Sequence, residues 1–409
     1  MKQPKTVSAW PPSYFRLADW IGIAGLIFVE FYYLTALQLP TLITNHAREV
    51  DYANFYGVPW RILAQGHYPP TSVPFPYPPS AIAMMLPIGL LPQTTGFVIW
   101  ILLQAACLWI SVWCALRLSG AANWPGKWAL GFIAVLCIEY PLSWDFRNHS
   151  NNVVFLTLVM LGVATRRNWL SALLLAASAG LKIYSSVFVL VFAWRREWRL
   201  VVSLLLSVLA LCIVLPLVVF GPFGFAELML GWIDEIRFTA SLDGYNFGTH
   251  IITLRRGFAT LLDADPSSTA VIVLWRAAES FWILLVIGYF VLAGRPHRSD
   301  GSDIARFADV CIALVAPLPL STWLEPYHGV IMLPPYVLLL TALFRYEWSS
   351  STRLLAAAAL SGPVIANIAT RRLEMRGLGF LLCVCLILVG LTAVRRASMQ
   401  CPSLLVKLA

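Results

Sequence analysis

The sequence predicts an all-α, polytopic transmembrane helical bundle of about 12 spans, at about 20 residues per span, with amphipathic helices on its outer face. Three observations carry that expectation. Of the 409 residues, 59% are hydrophobic and only 12% charged, and the mean hydropathy is +0.75, far from the composition of a soluble domain. The apolar residues come in long runs separated by short polar stretches, long enough to match a bilayer core as helices. The basic residues behind the formal net charge of +9 fall in short pairs at the ends of those runs, where they set orientation rather than bind nucleic acid. A single membrane domain over residues 1–409 is therefore expected, with the lipid bilayer as a partner and no nucleic acid.

Lys2, Lys5 and Arg16 precede the first run, about Trp20 to Leu39, so the positive-inside rule puts the N-terminus in the cytoplasm. No short apolar stretch with a small-residue cleavage site precedes that run, which reads as a retained span. The segment 41–93 is then outside. In it Asp51 opens an amphipathic stretch, with Tyr52, Phe55, Tyr56, Trp60 and Leu63 near helical spacing and Asn54, Arg61 and Gln65 on other faces, as in a helix lying along a membrane surface. The Pro- and Tyr-rich connector from His67 to Pro79 is stiff and extended, because each proline lacks a donor and restricts the residue before it. Runs at about Thr94–Leu116 and Trp128–Leu142 follow. They lead to a polar outer turn, Ser143–Asn152, containing Asp145, Arg147, His149 and Asn151.

A fourth span returns to Arg166 and Arg167. This pair and the cluster Arg195, Arg196 and Arg199 should both be cytoplasmic, yet the run between them is too short for two full spans. Trp169–Leu181 and Tyr184–Trp194 therefore read as two short helices meeting near Gly180-Leu181-Lys182, a hairpin whose tip lies at or below the outer surface. Lys182 becomes an isolated cation at membrane depth, which is costly and functional by default. The bland alternatives are a snorkelling lysine or one paired with an internal acid such as Glu139.

A seventh span, Leu200–Phe220, leads to a second outer segment, about 221–270, in which aromatics, Asp243, Asn246, His250, Arg255 and Arg256 suggest a surface helix and a loop. Spans at about Val271–Ala293 and Ala308–Trp323 bracket a cytoplasmic loop. Glu325, Pro326, Tyr327 and His328 form a tight outer turn before a span ending at Arg345. Two further spans, about Leu354–Ala369 and Leu378–Val394, end at Arg395 and Arg396, so the C-terminus is also cytoplasmic. This leaves Arg371, Arg372 and Arg376 outside, against the charge rule.

Seven of the eight cysteines lie inside apolar runs without zinc-type spacing, so neither a disulfide framework nor a cysteine metal site is indicated. No GxxxxGK[ST], HExxH or GxSxG motif occurs, which removes sequence support for nucleotide hydrolysis, a zinc protease or an α/β-hydrolase. A sugar or phosphate donor would arrive within the bilayer as a lipid. The outer face gathers Asp51, Arg61, His67, Tyr68, Arg147, His149, Asn151, Lys182, Asp243, His250, Glu325 and His328. A carboxylate among cations and aromatics suits a reaction in which an acceptor hydroxyl loses a proton while a phosphate leaves against Lys, Arg or His. By spacing alone Asp51 is equally an N-cap, and the aromatics from Tyr52 to Trp60 equally an interfacial belt.

Four stretches resemble a known family in their order: VDYANFYGVPWRILAQGHYPP; FPYPPSAIAMMLPIGLLP; NHSNNVVFLTLVMLGVATRR paired with LLLAASAGLKIYSSVFVLVFAWRREWR; and APLPLSTWLEPYHGVIMLPP. With them the chain resembles the GT-C superfamily of integral-membrane glycosyltransferases, and within it glycosyltransferase family 87. The resemblance implies an inverting transfer of a sugar, mannose by default, from a polyprenyl-phosphate donor to a glycolipid or glycan acceptor, without metal or organic cofactor. It puts the catalytic base at Asp51, donor-phosphate contact at Lys182 and the family's late histidine at His328. Tyr52, Arg61, Arg147, His149, Asn151 and Glu325 complete the expected substrate-binding set. Where many relatives carry Gly-Gln-x-Asn, this chain has Asn148-His149-Ser150-Asn151. The implied location is the bacterial cytoplasmic membrane with the site facing outward.

A secondary transporter or lipid-linked-sugar flippase is the competing class. Transporters collect ionisable residues near the bilayer midplane, whereas here, apart from Glu30, Glu139 and Lys182, they collect at the outer boundary. A polymerase or ligase of lipid-linked sugars, with a late outer loop rich in Arg and His, finds some support between His250 and Arg256.

Overall fold

The computed structural model describes residues 12–43, 77–240, 253–292, 303–321, 326–345, 350–351, 353–361 and 376–400. Every regular element among them is helical. In order these are α1 (Pro12–Tyr32), continued through a π-helical stretch (Tyr33–Gln38) into α2 (Leu39–Ile43); α3 (Pro79–Gly89); α4 (Gln93–Leu118); α5 (Lys127–Cys137); α6 (Glu139–Arg147); α7 (Asn152–Ala164); α8 (Asn168–Leu181); α9 (Val187–Trp194); α10 (Trp198–Leu209); α11 (Leu215–Ala240); α12 (Leu254–Leu261); α13 (Thr269–Leu292); α14 (Asp303–Val315); α15 (Leu333–Arg345); a short helix over 353–361; and α16 (Arg376–Gln400). Six described helical stretches are long and apolar enough to cross a membrane, and α5 with α6 makes a seventh if the bent pair is one span. The chain is an all-α polytopic bundle.

Several elements are shorter or more broken than their hydropathy suggests, each for a local reason. The third apolar run stops being straight at Ile138, where α5 and α6 meet at 72°. Pro141 explains the break, since its ring would clash with the carbonyl of Cys137 in a continuous helix. The seventh run does not end at Phe220. It continues through π-helical turns (Ala210–Val214) into α11, which kinks at Gly221 with φ +70° and resumes at Pro222, a pairing that suits glycine's access to positive φ and proline's preference for a first turn. Tyr327 and His328 stand in a 3-10 stretch, Pro326–Met332, that feeds straight into α15, rather than in a tight turn.

The hairpin required by the two arginine clusters is present. α8 ends at Lys182, whose backbone is extended (φ −143°, ψ 110°), and a single 3-10 turn, Ile183–Ser186, leads into α9. The return limb ends beside the start of the outgoing one: the Arg306 guanidinium donates to the Val163 carbonyl at 3.1 Å and to both Glu197 carboxylate oxygens. Arg166–Arg167 and Arg195–Arg199 therefore share one end of the bundle.

That end is tied by buried charge. Asp309, fully buried on α14, accepts from Arg395 Nε on α16 at 2.5 Å and from Arg195 Nη1 at the end of α9. Arg195 also pairs with Glu197 at 3.0 Å, and Arg395 lies 5.1 Å from the Trp194 ring centroid. Asp19 on α1 caps the head of α5 by accepting from the amides of Gly126 and Trp128, both at 2.9 Å. The ends of α4 and α15 meet through a Thr341–Ser119 hydrogen bond. The opposite end holds the Lys182 tip. The middle is filled by α7, buried on nearly every face, as befits a helix apolar all round.

Candidate active site

The stretch Ser143–Asn152, expected as an exposed outer turn, is instead the floor of a buried polar cluster. Its first part is helical, as the end of α6, and Asp145, His149, Ser150, Asn151 and Asn152 are all fully buried. The reason is the break at Ile138: α6 turns away from α5 and sinks the chain before α7 starts. At 13 residues, α7 is only about 20 Å long at 1.5 Å per residue, so its head lies inside the bundle.

Neighbouring helices clamp the backbone of this turn. Trp100 Nε1 donates to the His149 carbonyl at 2.9 Å and Gln104 Nε2 to the Ser150 carbonyl at 2.8 Å. Gln104 Oε1 in turn accepts from Gln38 Nε2 at 3.1 Å. His149 has φ +51°, a left-handed conformation uncommon outside glycine. Its ring meets Phe97 edge-on at 4.5 Å, and among the described residues neither ring nitrogen has a hydrogen-bond partner. The Asn151 amide is likewise buried without a hydrogen-bond partner.

Lys182 comes to the same place from the hairpin tip. It is 7% exposed, and its Nζ donates to Asn152 Oδ1 at 2.5 Å. Asn152 Nδ2 donates to Asp145 Oδ1 at 2.7 Å and to Ser150 Oγ at 3.0 Å, while Asp145 Oδ2 accepts the Val153 amide at 3.3 Å. The ammonium also stands 5.8 Å from the Tyr77 ring centroid and 5.9 Å from that of Tyr327, within cation–π range. α3 pins the tip from outside: Ser80 Oγ donates to the Gly180 carbonyl at 2.9 Å, and a Cβ at Gly180 would meet Met84 Cε at 2.7 Å. Glu139, the internal acid weighed as a partner for Lys182, is exposed at the head of α6.

Of the sequence-predicted site residues, Lys182, His149 and Asn151 meet in this region. His328, half-buried, stacks against Tyr327 with ring centroids 4.8 Å apart, which brings it to the edge of the cluster. Arg147 is exposed on α6. Asp51, Tyr52, Arg61 and Glu325 lie outside the described residues. Asp145, Asn152 and Tyr77 had no separate role among the sequence expectations. Asn152 carried a usable signal, as the polar residue that heads a run in which Thr157 is the one other polar side chain. Chemically, a nearly buried ammonium flanked by two tyrosine faces can attract an anion. Among the described residues, no group of three His, Cys, Asp or Glu could hold a metal ion.

Residues 75–322 match the model of glycosyltransferase family 87. Among curated proteins, the chain is 29% identical over 281 residues to a polyprenol-phosphate-mannose-dependent alpha-(1-2)-phosphatidylinositol pentamannoside mannosyltransferase of Mycolicibacterium smegmatis, covering 65% of this chain and 61% of that protein. It is 28% identical over 299 residues to a polyprenol-phosphate-mannose-dependent alpha-(1-2)-phosphatidylinositol mannoside mannosyltransferase of the same organism, covering 67% and 63% respectively. A Mycobacterium tuberculosis protein with the same description is 27% identical over 318 residues, covering 72% and 67%. The chain thus spans about three fifths of the length of the first two relatives. No solved structure matches it.

Proposed function

The chain belongs to glycosyltransferase family 87, and from that premise we propose that it is an integral-membrane inverting glycosyltransferase using a polyprenyl-phosphate sugar, mannose by default, and a glycolipid or glycan acceptor. One observation carries the reading: the nearly buried Lys182 ammonium, at the tip of a re-entrant hairpin and between two tyrosine rings, is suited to the phosphate of a lipid that enters sideways. The relatives' names supply the donor class.

In the proposed reaction Asp51 takes the proton of an acceptor hydroxyl. The resulting oxygen attacks the anomeric carbon, the bond from that carbon to the phosphate oxygen breaks on the opposite face, and polyprenyl phosphate leaves with its charge stabilised by Lys182. His328, His149, Asn151, Tyr52, Arg61, Arg147 and Glu325 are assigned to the sugar and the acceptor. The family match begins at residue 75, so Asp51 rests on the sequence resemblance alone. The basic helix ends lie away from Lys182, which favours a bacterial cytoplasmic membrane orientation with both termini inside, segment 41–93 as the catalytic outer loop and 221–270 as a second outer segment. The test is transfer from polyprenyl-phosphate-[14C]mannose by wild type and Asp51→Asn at equal folded yield. Loss of about 100-fold or more is expected for removal of a general base; transfer surviving in the variant would overturn Asp51 as base.

A further inference from the structure

We propose that a groove between α13, α14 and α16 is a binding site for an anionic phospholipid, whose acyl chain lies along the groove and whose phosphate headgroup meets Arg396. Arg396 follows Arg395 of the buried charge cluster, so the site belongs to the end of the bundle away from Lys182. It does not depend on how the catalytic centre is read.

The groove has a volume of about 300 Å³ and a mostly apolar lining, in the size range of small-molecule sites. Buried Ile312 of α14 forms its floor, Val286 and Tyr289 line it from α13, and Leu388 and Thr392 line it from α16. Leu285, Val389 and Leu355, also in the lining, are exposed, so the groove opens on the side of the bundle, where a membrane-spanning chain meets lipid. Its two ends differ. The last turns of α13 reach the basic end, where Phe290 packs edge-on against Trp194 with ring centroids 5.2 Å apart, and Trp194 lies under Arg395. Trp282, the lining residue of α13 furthest from that end, is fixed by its indole N–H, which donates to the Ala316 carbonyl at 2.8 Å. Along α16 the lining is ordered in the same sense: Cys385, Leu388 and Val389 come first, then Thr392, and Arg396 stands last, at the basic end.

Length and charge together select the occupant. From Cys385 to Arg396 the α16 wall rises about 16 Å, at about 1.5 Å per residue. That is roughly half of a hydrocarbon core of about 30 Å, so the groove runs from one membrane boundary to near the midplane, the depth of a single acyl chain. The charge sits only at the boundary end. Arg396 is exposed and, among the described residues, forms no ion pair, whereas Arg395 beside it is committed to Asp309. An exposed guanidinium at the mouth of an apolar groove matches a phosphate held at the head of a lipid chain, and Tyr289 and Thr392 add two hydroxyls to the lining near that end. A protein partner would have to bring an acid to the end of an apolar ridge of the same depth; an anionic phospholipid already joins those two parts. A chain seated there would bridge α13 to α14 and α16 through apolar contact.

The experiment is native mass spectrometry of the delipidated full-length protein, titrated in detergent with phosphatidylglycerol or with phosphatidylcholine of the same acyl chains, with melting temperatures measured alongside. Wild type is compared with three variants. Arg396→Gln removes the charge at the mouth, Ala393→Leu fills the groove about one turn before it, and Arg199→Gln removes another exposed arginine from the same end of the bundle without touching the groove. Wild type is expected to bind phosphatidylglycerol about fivefold more tightly than phosphatidylcholine, the effect of one basic residue on an anionic headgroup. Arg396→Gln should lose that preference and keep its affinity for phosphatidylcholine, Ala393→Leu should weaken both lipids, and Arg199→Gln should match wild type. Equal affinity of wild type for the two lipids, or equal losses in Arg396→Gln and Arg199→Gln, would overturn the pairing of Arg396 with the headgroup. Undiminished binding by a folded Ala393→Leu would overturn the groove as the seat of the chain, and a lipid-free dimer would give the groove to a second copy instead. If Ala393→Leu melts far below wild type, the comparison of Arg396→Gln with Arg199→Gln decides alone.

Discussion

Replacing Asp309 by asparagine keeps the side-chain shape and deletes one buried negative charge, leaving the guanidiniums of Arg195 and Arg395 facing a neutral amide. Both arginines are nearly buried, with side chains 7% and 1% exposed, and Asp309 is fully so. Among the described ion pairs, Arg195 also faces Glu197, which is 27% exposed and already serves Arg306. Removing one partner of a buried pair typically costs about 3–5 kcal/mol because the other charge is left uncompensated. The retained amide oxygen can still accept one hydrogen bond, so about 3 kcal/mol is expected here. At roughly 2 °C per kcal/mol, the lower end of the range for 150–250-residue chains, the melting temperature in detergent should fall by about 6 °C. Arg237→Ala, which breaks an exposed Arg237–Asp234 pair, provides the control and should change stability by less than about 0.5 kcal/mol. Because apolar replacement of a whole buried pair is often tolerated, Asp309→Leu/Arg395→Met should lose less than the sum of the single changes. Asp309→Asn melting within 1 °C of wild type, at roughly 2 °C per kcal/mol, would refute the cluster as the tie between α9, α14 and α16.

Lys182→Met should reduce sugar transfer by about 100-fold or more, the usual effect of removing a donor aimed at developing charge; activity above a tenth of wild type in a labelled-donor assay would contradict its role. In Gly329→Ala the new Cβ would stand 2.8 Å from Pro141 Cγ; a rigid ring cannot yield, so a stability loss of about 1–3 kcal/mol is expected, with impaired transfer because the shift reaches His328.

The parts of this architecture that the sequence made legible were those written in charge. Two arginine clusters separated by too few residues for two spans required a hairpin, and the lone Lys182 between them marked its tip. The parts it hid were set by backbone geometry. Nothing in the hydropathy of Trp128–Leu142 announced that Pro141 would break the run at Ile138, and without that break Ser143–Asn152 reads as a solvated turn. Asp145 and Asn152 were therefore visible only as loop polarity, although the structure buries both, with Asn152 accepting from Lys182 and donating to Asp145. Likewise Asp303 and Arg306 read as part of a cytoplasmic loop ahead of a span from about Ala308, whereas the helix starts at Asp303 and its Asp309 pairs with Arg195 and Arg395 from distant positions. Pairings across 86 and 114 residues leave no local pattern.

The most direct test of the account is the reaction itself. Purified protein in liposomes would be given polyprenyl-phosphate-[14C]mannose and a bacterial membrane glycolipid extract, and the products separated by chromatography. The account predicts a new labelled glycolipid, with polyprenyl phosphate released in equal amount and neither product formed without protein. Intact donor recovered in the opposite leaflet, with no labelled glycolipid formed, would contradict it and identify a transporter of the lipid-linked sugar instead.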